Sequence, residues 1–314
     1  MHIWQARTVL FASAILLVAT DALAQVGRQS GDSLSQRSPA PASETDAQVL
    51  FTVSDEAGNP APPPARESLR LRIDKQPVEI DQIRPLKNAP LYFSVLVDVS
   101  GSSRKFADQQ IAAASKLFGL LSTGDNHGYL VLFSFETATN DKFLDTPSVE
   151  EILGRFPPQT RRGGTALYDA ITHAAMEQLS STRVPRNSRR AIFILSDGGD
   201  NASHKTLEQT LKVVQKEGIP IASIGFSPDK RSDSPRELRR DLETLKELSD
   251  TTGGFVSFLE QPGDPAQRAV DLIDAQYLLL FKPPALKRNK SYALKIESAA
   301  KEVHVLAPKE YFAP

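Results

Sequence analysis

Short apolar runs alternating with amphipathic stripes constrain this chain more than any other feature. The runs fall at residues 91–97, 129–135, 191–195, 219–226 and 255–258. Between them, apolar side chains recur at helical spacing. Phe106, Ile111, Ala114, Leu117, Phe118 and Leu121 follow the first run, and Leu167, Ala170, Ile171, Ala174 and Leu179 precede the third. Leu207, Leu211 and Val214 follow the third, and Leu238, Leu242, Leu245 and Leu248 precede the last. A continuous run of Val, Ile, Leu and aromatic residues suits a strand buried on both faces, and a stripe of period 3.6 suits a helix packed on one side. Strand and helix in alternation predict an α/β fold: a doubly wound, mostly parallel, Rossmann-like sheet flanked by helices. The leucine stripe at 238–248 is read as core-facing rather than as a seam for a partner.

The ends differ in character. Arg7, the apolar stretch at 9–19 and Ala22-Leu23-Ala24 have the form of a secretory signal over residues 1–24, cleaved after Ala24. Residues 25–47, rich in Ser, Gln, Pro and Ala, are too poor in large apolar side chains to order themselves and are expected to be a disordered linker. Residues 48–89 form an N-terminal β segment: a strand at 49–53, an alternating strand at 69–73, and a hairpin turn at Asp74-Lys75-Gln76-Pro77 leading into 78–80. The α/β domain spans 90–262, with a short edge strand expected at 142–144. Residues 263–314 supply a short helix near 264–273 and strands at 276–281, 292–296 and 303–306. Neither terminal segment buries a core alone, so the two are expected to pack together as one small sheet or sandwich.

Composition excludes several classes. The 314 residues carry a net charge of −1, which offers no basic field for nucleic acid. There is no cysteine, so neither disulfides nor a lipidated cysteine is available in the secreted or periplasmic location that the signal implies. No segment after the signal could span a bilayer. Trp4 lies in the signal, which leaves the mature chain without tryptophan.

Chemistry concentrates at the carboxyl ends of the predicted strands, where open α/β sheets place their ligand crevice. Asp98 ends the first run, and Gly101 lets the chain turn so that the hydroxyls of Ser100 and Ser102 converge on it. Thr165 follows Gly163-Gly164, and Asp197 follows the third run before Gly198-Gly199. Oxygen ligands without His or Cys suit Mg²⁺, Mn²⁺ or Ca²⁺. Arg161 and Arg162 are read as solvated loop charges, with attraction for an acidic ligand as the second reading. Asp200 and Asn201 are read first as caps of the helix at 205–217, and second as groups that reach the metal rim through water.

This set of residues resembles the metal-ion-dependent adhesion site of von Willebrand factor type A (VWA) domains. Asp98-Val99-Ser100-Gly101-Ser102 matches the Asp-x-Ser-x-Ser loop, Thr165 the distant threonine and Asp197 the distant aspartate. Beyond the motif, residues 71–80, Gln276-Tyr277-Leu278-Leu279 and the closing segment 308–314 resemble a secreted bacterial group, the VWA-related proteins described first from acidobacteria. Ser103 stands where many relatives have methionine; that position is no family ligand, so little effect on binding is expected. The resemblance implies that the serine and threonine hydroxyls touch the metal while the aspartates act largely through water. The ion then stays under-neutralised and accepts an Asp or Glu carboxylate from a protein partner.

Enzymes are the rival reading. A phosphatase of the haloacid dehalogenase type needs a second acid where Ser100 stands. A subtilisin-like protease needs histidine and serine loops that His127, His173, His204 and His304 do not provide. No phosphate-cradling glycine loop follows the first strand, and no general base stands beside the metal loops for a Mg²⁺-dependent hydrolase. A metal-independent scaffold or envelope assembly factor is the other alternative.

Overall fold

The computed structural model describes residues 47–135, 137–139, 142–155, 164–185, 188–226, 235–261 and 263–314. All of these belong to one compact unit, Ala42–Pro314. The predicted signal, the linker up to residue 46, Arg161, Arg162 and Gly163 lie outside the described residues.

The α/β layer is built on β5 (Leu91–Asp98), whose eight residues are all buried. Parallel to it run β6 (His127–Phe133), β8 (Arg189–Ser196), β9 (Ile221–Gly225) and β10 (Phe255–Phe258); β7 (Thr137–Thr139) adds an antiparallel edge. The order is β10-β9-β8-β5-β6-β7. The chain steps from β5 to β6 on one side and returns through β8 on the other, so the topological switch lies between β5 and β8.

The predicted helices form where the stripes place them. On one face pack α1 (Ala107–Leu121), α2 (Thr146–Arg155) and α6 (Pro265–Asp274), through Leu117, Phe118, Val149, Leu153, Val270 and Ile273. On the other pack α3 (Leu167–His173), which runs on through a π-helical turn at Ala174–Leu179, with α4 (Leu207–Glu217) and α5 (Pro235–Thr252). Of the leucine stripe of α5, Leu245 and Leu248 face the core as expected and are fully buried. The helix α4 starts on a capping box, in which the Thr206 hydroxyl accepts from Gln209 N and Gln209 Oε1 accepts from Thr206 N, and it stops at Gly218.

The terminal segments do pair, and they make a sandwich rather than a single sheet. The strands are β1 (Ala47–Asp55), β2 (Leu69–Ile73), β3 (Gln76–Val78), β4 (Ile80–Pro85), β11 (Gln276–Phe281), β12 (Lys290–Ser298), β13 (Val303–Leu306) and β14 (Glu310–Ala313). One antiparallel sheet has the order β13-β1-β11-β4 and the other β14-β12-β2-β3. Each sheet takes strands from both ends of the sequence: Phe51 stands opposite Tyr277, and Leu71 opposite Ile296. Phe51, Leu71, Ile73, Leu279, Phe281, Tyr292 and Leu294 fill the space between the sheets. The hairpin turns on Asp74 and Lys75, both at positive φ, as a two-residue turn with the right-handed twist requires.

Several expectations need correction. No strand forms at 142–144; Leu144 makes one isolated bridge to Gly128, and the edge strand is β7. Phe143 instead stacks its ring on His127, 4.6 Å between centroids. The run at 78–80 divides between β3 and β4, which belong to different sheets. Among the described residues, the sequence did not announce α2, β4 and β14. Each is short and mixed in composition, so its pattern is visible only once the surface it packs on exists.

Candidate metal centre

Asp98 is the last residue of β5, and in register its neighbour on β8 is Ser196, one step past the Val97–Leu195 pair. The parallel register therefore sets the Asp98 and Asp197 turns side by side at the switch point. Asp98 is 1 % exposed and Asp197 5 %. Ser196 fixes their relation: its hydroxyl donates to Asp98 Oδ2 at 2.7 Å and accepts from Gly198 N at 3.0 Å. The other oxygen, Asp98 Oδ1, accepts from Ser100 N at 2.9 Å, which folds the loop back over the strand end. Asp197 Oδ1 accepts from Gly199 N at 3.0 Å.

The hydroxyls of the first loop converge. Ser100 Oγ lies 3.2 Å from Ser102 Oγ and 3.4 Å from Ser103 Oγ. Ser100 and Ser103 are buried while Ser102 is exposed, so Ser102 faces the open side. The buried Ser103 is a hydroxyl that the sequence reading set aside.

Thr165 reaches the same end of the sheet through backbone bonds. Val99 N donates to Phe133 O at 2.8 Å, and Ala166 N donates to Ser134 O at 2.8 Å. The end of β6 thus runs between the Asp98 loop and the Thr165 loop. On the far side Thr165 O accepts from Asn201 N at 3.0 Å and Ala202 N at 3.1 Å. The five predicted residues therefore belong to three turns at one end of the sheet: Ser196 joins the Asp98 and Asp197 turns directly, and the Thr165 turn is bonded to residues 201–202 and, like the Asp98 loop, to the end of β6.

Asp200 and Asn201 do not cap α4, which Thr206 caps. Asp200 Oδ2 accepts from Tyr168 N at 3.0 Å in the first turn of α3, and Asn201 Oδ1 accepts from Thr165 N at 2.8 Å. Asp169 returns the contact, its carboxylate accepting from His204 N at 2.8 Å and Lys205 N at 3.0 Å. A sequence gives little notice of such cross-loop bonds, because Asx residues cap locally far more often than they reach another loop.

Burial, and then the neighbouring charge of Asp197, push the Asp98 carboxyl up to about 6, against the hydrogen bonds from Ser100 and Ser196. Among the described residues neither Asp98 nor Asp197 has a Lys or Arg partner within ion-pair distance. Two buried carboxylates so placed are costly unless a positive charge joins them. An all-oxygen donor set of two carboxylates and three hydroxyls fits a hard divalent ion. A cleft of about 910 Å³ lies at the opposite, amino end of the strands, where Leu50, Leu278, Arg190, Lys216 and Phe312 line it; it shares no residue with this site.

The sequence profile of the von Willebrand factor type A domain matches residues 94–264, more than half of the chain. The chain belongs to the von Willebrand factor type A family. No curated protein matches it. Among solved structures, the VWA domain and its flanks are similar to a von Willebrand factor type A protein from Catenulispora acidiphila, at 13 % identity over 87 % of this chain and 75 % of that one, with a TM-score of 0.42. An aerotolerance-related membrane protein from Bacteroides fragilis is 18 % identical over 59 % of this chain and 98 % of its own, TM-score 0.44. Proximal thread matrix protein 1 of the mussel byssus, in a structure whose MIDAS motif holds zinc, is 17 % identical over 63 % of this chain and 48 % of its own, TM-score 0.46. Membership rests on the profile match, not on these distant likenesses. Among the described residues of this VWA protein, no helix is long and apolar enough to cross a membrane.

Proposed function

We propose that this protein is a secreted or periplasmic, non-enzymatic interaction module that binds a protein partner through one divalent cation. Asp98, Ser100, Ser102, Thr165 and Asp197 hold the ion, which is Mg²⁺, Mn²⁺ or Ca²⁺. The observation that carries this reading is the pair of adjacent buried carboxylates, Asp98 and Asp197, without a cationic side chain among the described residues. When bound, the cation supplies a positive charge that an incoming Asp or Glu carboxylate can meet. The side chains of the protein do the rest. Asp98 and Asp197 attract the ion, Ser196 and the Ser100 amide hold the Asp98 carboxylate in one orientation, and the hydroxyls contribute oxygen without adding charge. Ser102, on the exposed side, marks the direction from which a partner arrives.

In this reading residues 1–24 are a cleaved signal and 25–47 a linker to the envelope-facing body. The VWA domain is residues 90–262, and segments 48–89 and 263–314 form the companion sandwich. The decisive experiment is titration calorimetry of the purified chain with Mg²⁺, Mn²⁺ and Ca²⁺, paired with co-purification from envelope extract with and without EDTA. The expected result is one cation per chain and a partner that EDTA releases. Substituting Ser100 and Ser102 together with alanine abolishes both. A wild-type chain that takes up none of the three ions sinks the reading in favour of a metal-independent scaffold, and metal-dependent turnover of a substrate sinks it in favour of a hydrolase.

A further inference from the structure

Asn201 lies four residues beyond Asp197, on the surface, yet its side chain turns inward to a neighbouring loop. We infer that Asn201 is a positioning residue for Thr165: its side chain fixes the peptide plane that precedes the threonine. The inference rests on the metal-site reading above and adds to it a residue outside the five ligands.

Both peptide planes of Thr165 are held. The plane before it is fixed by Thr165 N–H donating to Asn201 Oδ1 at 2.8 Å. The plane after it is fixed by Ala166 N–H donating to Ser134 O at 2.8 Å. With both planes set, the direction of the Thr165 Cα–Cβ bond follows, because only φ and ψ lie between them. The Thr165 carbonyl also accepts the Asn201 and Ala202 amides at 3.0 and 3.1 Å, so the two turns stay joined when the side chain of Asn201 is removed. What is lost is the hold on the preceding plane. Gly164 is part of the same device: a Cβ there would sit 2.2 Å from Asn201 Oδ1 and 2.9 Å from Ala202 Cβ, so the loop approaches as closely as it does only because residue 164 has none. Thr165 itself is 5 % exposed and has little freedom to find another partner for its amide.

Partners that orient metal ligands typically change affinity by about 10- to 100-fold when removed. The test is Mn²⁺ binding to the full chain by calorimetry for the wild type, Asn201→Ala, Asn201→Asp, Gly164→Ala and the double variant. Asn201→Ala is expected to weaken Mn²⁺ by about 10- to 100-fold, and Asn201→Asp, which keeps an acceptor for the Thr165 amide, to restore it. Gly164→Ala is expected to weaken binding as well, with the double variant no worse than the weaker single, because both act through one contact. Thr206→Ala serves as the structural control. It weakens α4 without touching Thr165 and should leave Mn²⁺ affinity at the wild-type value. If Asn201→Ala does not fold, Asn201→Gln replaces it, since the longer side chain displaces the acceptor. A wild type that binds Mn²⁺ with an Asn201→Ala variant within twofold of it overturns the positioning role alone. So does failure of Asn201→Asp to rescue. A wild type that binds no divalent ion overturns the metal reading and this inference with it.

Discussion

Among the described residues, Asp98 is the carboxyl displaced furthest from its ordinary titration range. Its carboxyl is raised to about 6 in the folded chain, chiefly by burial and then by Asp197, against an ordinary value near 3.8. Between those two values the folded state holds a proton that the unfolded state has released. Metal-free stability therefore falls as pH rises through that window and is flat above it. The effect amounts to ~3 kcal/mol. Urea midpoints of the metal-free protein should thus drop from pH 4.5 to 7 by more in the wild type than in Asp98→Asn, which has no proton to lose. The same proton competes with the cation, so added Mn²⁺ should raise the melting temperature more at pH 7.5 than at pH 5. Equal pH slopes for the two proteins would show that the Asp98 carboxyl is not raised in the folded chain. The residue scale is also where sequence was most uneven. The Asp-x-Ser-x-Ser spacing was legible because one turn brings its members together, whereas the buried Ser103 hydroxyl and the reach of Asn201 to Thr165 depend on neighbours that sequence distance hides.

Elements show why the turns hold their shape. Gly198 has φ +88°, and a Cβ there would meet Asp241 O at 2.2 Å and Leu245 Cγ at 2.8 Å. The turn after β8 is therefore pressed directly against α5, and Gly198→Ala must both strain the backbone and displace the helix. A loss of roughly 2–4 kcal/mol is expected, read as a lower urea midpoint at unchanged slope. At α4 the capping box is local. Thr206→Ala should cost ~1 kcal/mol and leave the metal loops as they are. The stripes of α1, α3, α4 and α5 and the buried runs of β5, β6, β8, β9 and β10 were readable because burial on a fixed face imposes a fixed period. The edge strand was misplaced by a few residues because an edge is buried on too little surface to impose one.

At the scale of the whole molecule, one buried guanidinium holds both junctions at which the chain passes between the VWA domain and the sandwich. Arg189, whose side chain is 2 % exposed, begins β8. It donates to Ala89 O at 3.0 Å, Ile273 O at 3.1 Å and Asp274 Oδ1 at 3.2 Å. It thereby ties the entry into β5 to the end of α6, just before the chain enters β11. Arg189→Met fills the space but leaves two carbonyls without their donor, and should cost about 2–3 kcal/mol by urea unfolding. The same variant should speed proteolysis at the junction of α6 and β11; unchanged cleavage there would show that other contacts set the junction.

By itself the sequence determined the α/β layer and the Asp98-Ser100-Ser102 turn that ends its first strand, because periodicity and short-range spacing are properties of consecutive residues. Tertiary structure alone decided which of the terminal strands meet. Phe51 and Tyr277, or Leu71 and Ile296, lie more than two hundred positions apart, and nothing local distinguishes one antiparallel partner from another. It also decided that Asp98 and Asp197 stand side by side, since that follows from β8 returning past β5 to its free edge. The physical reason is the same in both cases: a chain encodes its local conformation in neighbouring side chains, but its long-range pairings are chosen by the surfaces left uncovered once those local elements have formed.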